Sequence, residues 1–380
     1  MKKQKVLLYI AIALMWFSIY VYTPILSTYC EDLGATYTLV GTVLSSYGFV
    51  QMVMRIPIGI FTDLLRRRKV VMGAGFAFAF FSSLGFFLAE VPTLLIICRA
   101  LSGLCASTWA IFLISYTSLY PDEEQGKGMG LANSANSIGQ VFATLIGGFV
   151  AQYIGIKVPF VVGMIAALTG TILLFFVREP QIEQKEKITV RRLVSMLGNF
   201  DLVFYSIMAA FLMLALYTGP NGFVTNMLRD LKATDFMLGF ASTLAMIPSV
   251  FSAALSGTFF KEKLGARNSM ILGFVLVAVS ILGMGLAKSI FMIIVMLLVN
   301  GFAKGLLNSL LNSMAIQKID KSLKSTGASF YQSVYGIGMT LGPIIAGVIS
   351  DSFSMMAAFV FAAALMVIPV AAILIKREKA

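Results

Sequence analysis

The sequence predicts an all-α polytopic membrane protein of twelve spans, built as two six-helix bundles. Three observations predict it: apolar runs long enough to cross a bilayer, basic residues gathered on one side of those runs, and an internal repeat. Of the 380 residues, 59% are hydrophobic and only 12% charged, with a mean hydropathy of +0.91. A water-soluble domain has too much surface to cover with so few charges, and a run of about 20 apolar residues is what the hydrocarbon core demands. The runs are continuous rather than alternating, which argues against a membrane barrel. Three cysteines (Cys30, Cys98, Cys105) without regular spacing, and no histidine, argue against a metal centre. No cofactor is expected.

The first apolar run, from Val6 to about Ser27, is too long for the core of a cleavable signal and lacks a small-x-small exit. It is read as span one, over 6–28. The next five spans fall near 37–62, 70–89, 93–118, 129–152 and 158–177. A polar stretch, 178–200, separates the first bundle (1–177) from the second (201–380). Its spans fall near 201–225, 235–260, 269–287, 289–315, 327–350 and 355–375.

Charge sets the expected orientation. With the N-terminus inside, the cytoplasmic segments carry Lys2, Lys3 and Lys5, then Arg66, Arg67, Arg68 and Lys69, then Lys127. The central stretch adds Arg178, Lys185, Lys187, Arg191 and Arg192. The second bundle adds Lys261, Lys263, Arg267, Lys318, Lys321, Lys324, Lys376, Arg377 and Lys379. The outer loops hold only Lys157, Arg229, Lys232 and Lys288. This is the positive-inside pattern, and it puts both termini in the cytoplasm of an inner-membrane protein. It also accounts for the net charge of +12 without any need for nucleic acid as a partner.

The halves match at an offset of about 199 residues. Asp63-Leu64-Leu65-Arg66-Arg67-Arg68 falls on Glu262-Lys263-Leu264-Gly265-Ala266-Arg267, and Gly128 on Gly327. Gly139 and Gly148 fall on Gly338 and Gly347. Two six-span halves related by an axis along the membrane normal imply a cavity between them, near the midplane, and rocking of one half against the other.

The loop after span two, Gly59-x-x-x-Asp63-x-x-x-Arg67-Arg68, resembles the signature loop of the major facilitator superfamily, with Arg66 at a position usually given to glycine. Arg99-x-x-x-Gly103 in span four is similar to that superfamily's buried-arginine motif, with Ser102 in place of the usual glutamine. Gly139 with Gly147-Gly148, and Gly338-x-x-x-Gly342-Pro343, resemble the glycine-rich motifs of its antiporters, although Ala143-Thr144 replaces the Gly-Pro pair in span five. The resemblance covers essentially the whole chain. It implies a transporter with no enzymatic activity, acting as a monomer on a small-molecule substrate, with a proton as candidate coupling ion.

The loop can be read physically as well. Asp63 sits among cations at a helix end, and Arg67 or Arg68 could reach Asp122, Glu123 and Glu124 after span four. Gly59, Asp63, Arg67, Arg68, Asp122 and Glu123 are therefore candidate gating residues, with Arg55 one turn above and Glu262 and Arg267 in the repeat. The competing reading is a plain anchor of positive charge, which suits Arg66 and Lys69 better.

Three basic residues lie well inside spans, Arg55, Arg99 and Lys304, whereas every acid can be placed in a loop or near a span end. A lone cation in hydrocarbon costs about 2.5–3.5 kcal/mol on insertion scales, so each needs a cavity, a polar partner or a bound anion. Lys304 lies near mid-depth of span ten with Asn300 and Asn308 one turn to either side, which makes it the leading substrate contact. Arg99 divides evenly between substrate contact and helix-to-helix bonding. Tyr217, Asn221, Asn136, Gln140, Gln332 and Tyr335 complete the candidate set; Tyr20, Tyr22, Tyr47, Gln51, Asn133 and Tyr331 are weaker members. Unbalanced cations favour an anionic or amphipathic solute moved by a secondary transporter. The alternative is a proton-coupled efflux antiporter for neutral or cationic drugs, which would normally use a buried carboxylate. No phosphate-cradling loop is present, so a gradient is the expected energy source.

Overall fold

A computed structural model of the protein describes residues 2–178, 198–319 and 324–376, apart from the side chains of Asp63, Asp122, Thr258, Lys324, Ser325 and Thr326. Among the described residues every regular element is a helix, and twelve of the helices are long and apolar enough to span a membrane. We label the spans α1 (Lys2–Asp32), α2 (Tyr37–Thr62), α3 (Arg68–Leu88), α4 (Leu94–Thr117), α5 (Gln125–Tyr153) and α6 (Val158–Phe176). The second set is α7 (Phe200–Thr218), α8 (Asp235–Leu255), α9 (Gly265–Gly285), α10 (Ile290–Ile316), α11 (Gly327–Ser352) and α12 (Met355–Ile375). Most of the stretch expected at 178–200 lies outside the described residues, as do Lys185, Lys187, Arg191, Arg192, Lys321, Arg377 and Lys379.

Three spans are broken, each for a local reason. In α1 the helix pauses at Val21 and Tyr22, where Pro24 lacks an N–H and its ring would meet the Tyr20 carbonyl. Thr23 Oγ1 donates to that freed carbonyl at 2.7 Å. In α4 the break is at Thr108. Ser107 Oγ donates to Gly103 O at 2.8 Å and Thr108 Oγ1 to Cys105 O at 2.7 Å, the back-bonding that bends helices. In α12 the break at Met366 precedes Pro369. One prediction needs correction: α7 ends at Thr218, not near 225. Gly219-Pro220-Asn221-Gly222 forms a turn, and the apolar residues beyond it start a separate short helix, Val224–Asp230.

The chain forms two compact units. The first comprises Met1–Gly34, Ser46–Lys187 and Thr234–Phe240; the second comprises Ala35–Ser45, Ile188–Ala233 and Ala241–Ala380. Inside the first, α1 packs on α5 and α6, and α3 on α4 and α6. Inside the second, α7 packs on α11 and α12, and α9 on α10 and α12. The packing partners thus repeat as the sequence does. Small residues let the backbones meet: a Cβ on Gly139 or Gly147 would strike the carbonyl of Ala13 or Val21, and one on Gly338 that of Ala210. The exposed surfaces of the spans carry large apolar groups such as Phe81, Ile97, Phe175, Phe251 and Phe291, as contact with lipid would require.

Loop cations serve helix ends. Lys69 Nζ donates to the Phe175 and Val177 carbonyls at 3.1 and 3.0 Å, and Gln4 Nε2 to Phe176 O at 3.2 Å, closing the last turn of α6. In the second unit an Arg267 guanidinium nitrogen donates to Leu374 O at 2.6 Å at the end of α12. Lys376 and Lys318 both pair with Asp201, at 2.6 and 2.8 Å, and Lys376 lies 4.1 Å from the Tyr205 ring centroid. Donating to Asp201 holds the Lys318 ammonium above the usual lysine range.

Candidate substrate site and gate

Lys304 is the fifteenth residue of the 27-residue helix α10, and its nearer end, Ile316, is about 18 Å away by the helical rise. The helix is held against α8 by glycines on either side of it: a Cβ on Gly301 would strike Ala245 O, and one on Gly305 would strike Ser249 O. The lysine is half-buried. Among the described residues, no hydrogen bond or ion pair ends on it. Its expected neighbours part company. Asn300 is buried and donates to Ser280 Oγ of α9 at 2.9 Å, so its amide is committed to helix packing. Asn308 is half-buried and stays beside Lys304 on the helix face one turn on.

Arg99 lies in the first unit, about 7.5 Å along α4 from its first residue, and is 8% exposed. Its guanidinium carbon sits 4.4 Å from the centre of the Tyr47 ring, itself buried, a cation–π contact of the desolvated kind. One terminal nitrogen donates weakly to Ser102 Oγ at 3.4 Å, and Nε has no partner. Ser102, which stands where the resemblance led one to expect glutamine, in turn donates to Arg99 O at 2.6 Å. Among the described residues no carboxylate pairs with Arg99.

Other candidates are spread out. Asn136 and Gln140 bond to one another along α5. Tyr22 is fully buried, its hydroxyl 3.2 Å from Ser82 Oγ and its ring against Phe86 and Phe160, so it belongs to the core. Asn133 is exposed and donates to Met129 O at 3.1 Å. Tyr217 is half-buried near the end of α7, whereas Asn221 lies exposed in the turn beyond it. Gln332 and Tyr335 are half-buried on α11, where Tyr335 meets the ring of buried Tyr331 at 5.5 Å; the Tyr331 hydroxyl has no partner. Gln51 is buried on α2 and Tyr20 half-buried on α1.

Among the gating candidates, Arg67 and Glu123 are exposed, Arg68 and Arg55 half-buried, and Glu262 exposed in a single turn before α9. Space around Gly59 is open. Arg267 binds a carbonyl instead of an acid, which is the anchor's behaviour. The Asp63 and Asp122 side chains lie outside the description. Arg66 takes a left-handed backbone, φ +53°, and its repeat mate Gly265 takes φ +77°. The superfamily's usual glycine is thus explained: the turn needs φ > 0, which only glycine adopts freely.

Sequence reasoning missed two features. Trp16 and Trp109, the chain's only tryptophans, meet edge-on at 5.7 Å, and the buried Trp16 Nε1 has no hydrogen-bond partner. Asn226 is 1% exposed with neither side-chain atom paired. Their pairing in space has no sequence signal beyond the rarity of tryptophan.

A model of the family described as the Major Facilitator Superfamily matches residues 8–223 and again 206–380. The chain belongs to the Major Facilitator Superfamily. It is a multi-pass membrane transporter of that superfamily and shares its fold. An uncharacterized transporter of this type from Methanocaldococcus jannaschii is 22% identical over 337 residues, 86% of each chain. The synaptic vesicular amine transporter of Rattus norvegicus is 26% identical over 332 residues, 82% of this chain and 61% of that one. The crystal structure of the nucleoside transporter NupG covers 98% of this chain, with a TM-score of 0.80 at 16% identity, a likeness of fold.

Proposed function

We propose that the protein is a secondary active transporter that moves a small organic anion, or an amphipathic solute with an acidic group, across the inner membrane by alternating access. Its termini face the cytoplasm, the two bundles 1–177 and 201–380 rock as bodies, and it acts as a monomer. The observation that carries the anion reading is electrostatic. Lys304 and Arg99 lie within spans, one half-buried and one 8% exposed, and among the described residues neither meets a carboxylate. An uncompensated cation at such depth is costly, and a substrate carboxylate or phosphate offsets the cost while bound. Asn308 beside Lys304, and Gln332 and Tyr335 on α11, supply further polar contacts. On the gating side, Asp63 with Arg67 or Arg68 and the acids after α4 form a cytoplasmic latch.

A second reading is favoured by one finding. The rat relative is by name an amine transporter, and amines are cationic. Export of cationic or neutral compounds against protons is therefore the alternative. The two are separated by thermal unfolding of the purified protein with aromatic and aliphatic carboxylates, set against quaternary ammonium compounds of matched size. Stabilisation by the carboxylates, lost in Lys304→Ala, supports the anion reading. Stabilisation by the ammonium compounds alone, or an undiminished carboxylate effect in the variant, removes it.

A further inference from the structure

Two of the broken spans, α1 and α4, lie in the first unit, and they touch: Thr108 at the α4 break places its hydroxyl 3.9 Å from the Met15 sulfur of α1. Three aromatic side chains gather beside these breaks. Trp109, the first residue after the α4 break, meets Trp16 of α1 at 5.7 Å with the rings 70° apart. Trp16 in turn meets Tyr20, one turn on and just before the α1 break, at 5.7 Å and 62°. Both are edge-to-face contacts, so the Trp16 indole is held from two sides. Trp16 is 6% exposed, whereas Tyr20 and Trp109 are half-buried and keep some ring surface open. Discontinuous spans are where transporters commonly place ligand contacts.

Toward the start of α1 the aromatic seam continues, and there its polar groups are matched. The Tyr9 ring meets Tyr116 at 6.3 Å, and Lys5 lies 3.4 Å from the centre of the Tyr120 ring. The Tyr9 hydroxyl is 3.1 Å from Ser134 Oγ, and the Tyr116 and Tyr120 hydroxyls are 3.2 Å apart. The Trp16 N–H differs: among the described residues it has no acceptor, and a buried donor left so is costly. Helix packing does not ask for these residues. At the offset of about 199, Trp16 falls on Ala215, fully buried, and Trp109 falls on Asn308, while Cys105 falls on Lys304. Cys105 and Trp109 are one turn apart, as are Lys304 and Asn308. The face of α4 that bears Trp109 is therefore the counterpart of the face of α10 that bears the candidate substrate contacts, with an indole in place of polar groups.

We propose that Trp16, Trp109 and Tyr20 form a subsite for a planar aromatic ring of the transported solute, with an acceptor atom in that ring taking the Trp16 N–H. The proposal rests on the transporter reading and is independent of the sign of the solute's charge. An aromatic cluster can also draw a cation over a ring face. The N–H, however, is the positive edge of the indole and a donor only, so it repels a cation and attracts a lone pair. Because two ring contacts already fix Trp16, little side-chain freedom is lost when the acceptor arrives. A saturated ring of the same size lacks the ring-to-ring contact, and an aromatic ring without an acceptor leaves the N–H unpaired. Both bind more weakly.

Trp16 and Trp109 are the chain's only tryptophans, so indole fluorescence reports on this subsite alone. The full-length protein in detergent is titrated with isonicotinate, benzoate and cyclohexanecarboxylate, and with the matching amines pyridylmethylamine, benzylamine and cyclohexylmethylamine. In whichever series binds, affinity falls from pyridine to benzene to cyclohexane, by about fivefold at each step. In Trp16→Phe, read through Trp109, the pyridine preference over benzene falls to about one while benzene still exceeds cyclohexane. Trp109→Phe, read through Trp16, keeps the pyridine preference, which assigns it to the Trp16 donor. Equal affinities for the pyridine and benzene probes in the wild-type protein overturn the proposal. So does a pyridine preference that survives in Trp16→Phe, or indole emission that neither series changes. The charge reading is judged apart: an amine series that keeps the ring order beside carboxylates without effect removes the anion and leaves the subsite.

Discussion

Replacing Lys304 with methionine removes the charge and keeps an unbranched chain of similar reach, and the anion reading makes an unusual demand on the result. The variant has to gain stability and lose ligand response together. A lone cation at the middle of a span costs about 2.5–3.5 kcal/mol on insertion scales. Lys304 lies about 18 Å from the nearer end of α10, and among the described residues no hydrogen bond or ion pair ends on it, so Lys304→Met recovers a part of that cost that is large enough to raise the Tm. A carboxylate present at a hundred times its Kd stabilises the wild-type protein by about 2.7 kcal/mol, and the variant loses that increment. In detergent the variant therefore unfolds at a higher temperature than wild type without ligand, and adding the carboxylate raises the Tm of wild type alone. A variant less stable than wild type without ligand means that Lys304 has a structural partner. A variant that still answers to carboxylates means that the charge is not in the site.

Arg66→Gly is expected to stabilise the protein by about 1 kcal/mol, because φ +53° strains an arginine and the equivalent turn already uses Gly265; a lowered Tm contradicts this. Gly301→Ala drives a Cβ onto the Ala245 carbonyl and separates α10 from α8, at a cost of about 1–3 kcal/mol that is read as a lowered Tm and a poorer yield of monodisperse protein. Asp63→Asn is expected to slow transport in proteoliposomes more than it weakens binding, since it touches a gate; equal kinetics would remove the cytoplasmic latch.

Most of the fold was legible because hydropathy and span length leave few options. Eleven expected spans overlap their helices with ends a few residues apart. The exception, α7, shows the limit of that signal: Phe223 and Val224 continue the apolar run, while Gly219-Pro220-Asn221-Gly222 had already turned the chain. Hydropathy sees lipid depth and is blind to a turn. The bends in α1 and α12 follow from Pro24 and Pro369, but the one in α4 depends on two hydroxyls choosing carbonyls over solvent, which no spacing rule announces. The site was less legible for a similar reason. Lys304 and Arg99 stand out in any reading as charges in apolar runs. Whether Asn300 faces a substrate or Ser280, twenty residues away, depends on which helix packs beside α10.

The repeat separates scaffold from chemistry. It is kept where backbones touch: Gly128 meets Tyr120 and Gly327 meets Ile319, at positions one offset apart, and Gly148 and Gly347 each receive the start of a helix. It is broken at the embedded cations. One offset from Lys304 stands Cys105, fully buried, and one offset from Arg99 stands Leu298. The helix pairs α3 with α4 and α9 with α10 pack alike, so neither cation is required by that packing. A charge that the scaffold does not need, held where it is expensive and, among the described residues, left without a carboxylate, has to earn its place by some other interaction. Lys304 and Arg99 carry the proposed selectivity because a bound anion is that interaction.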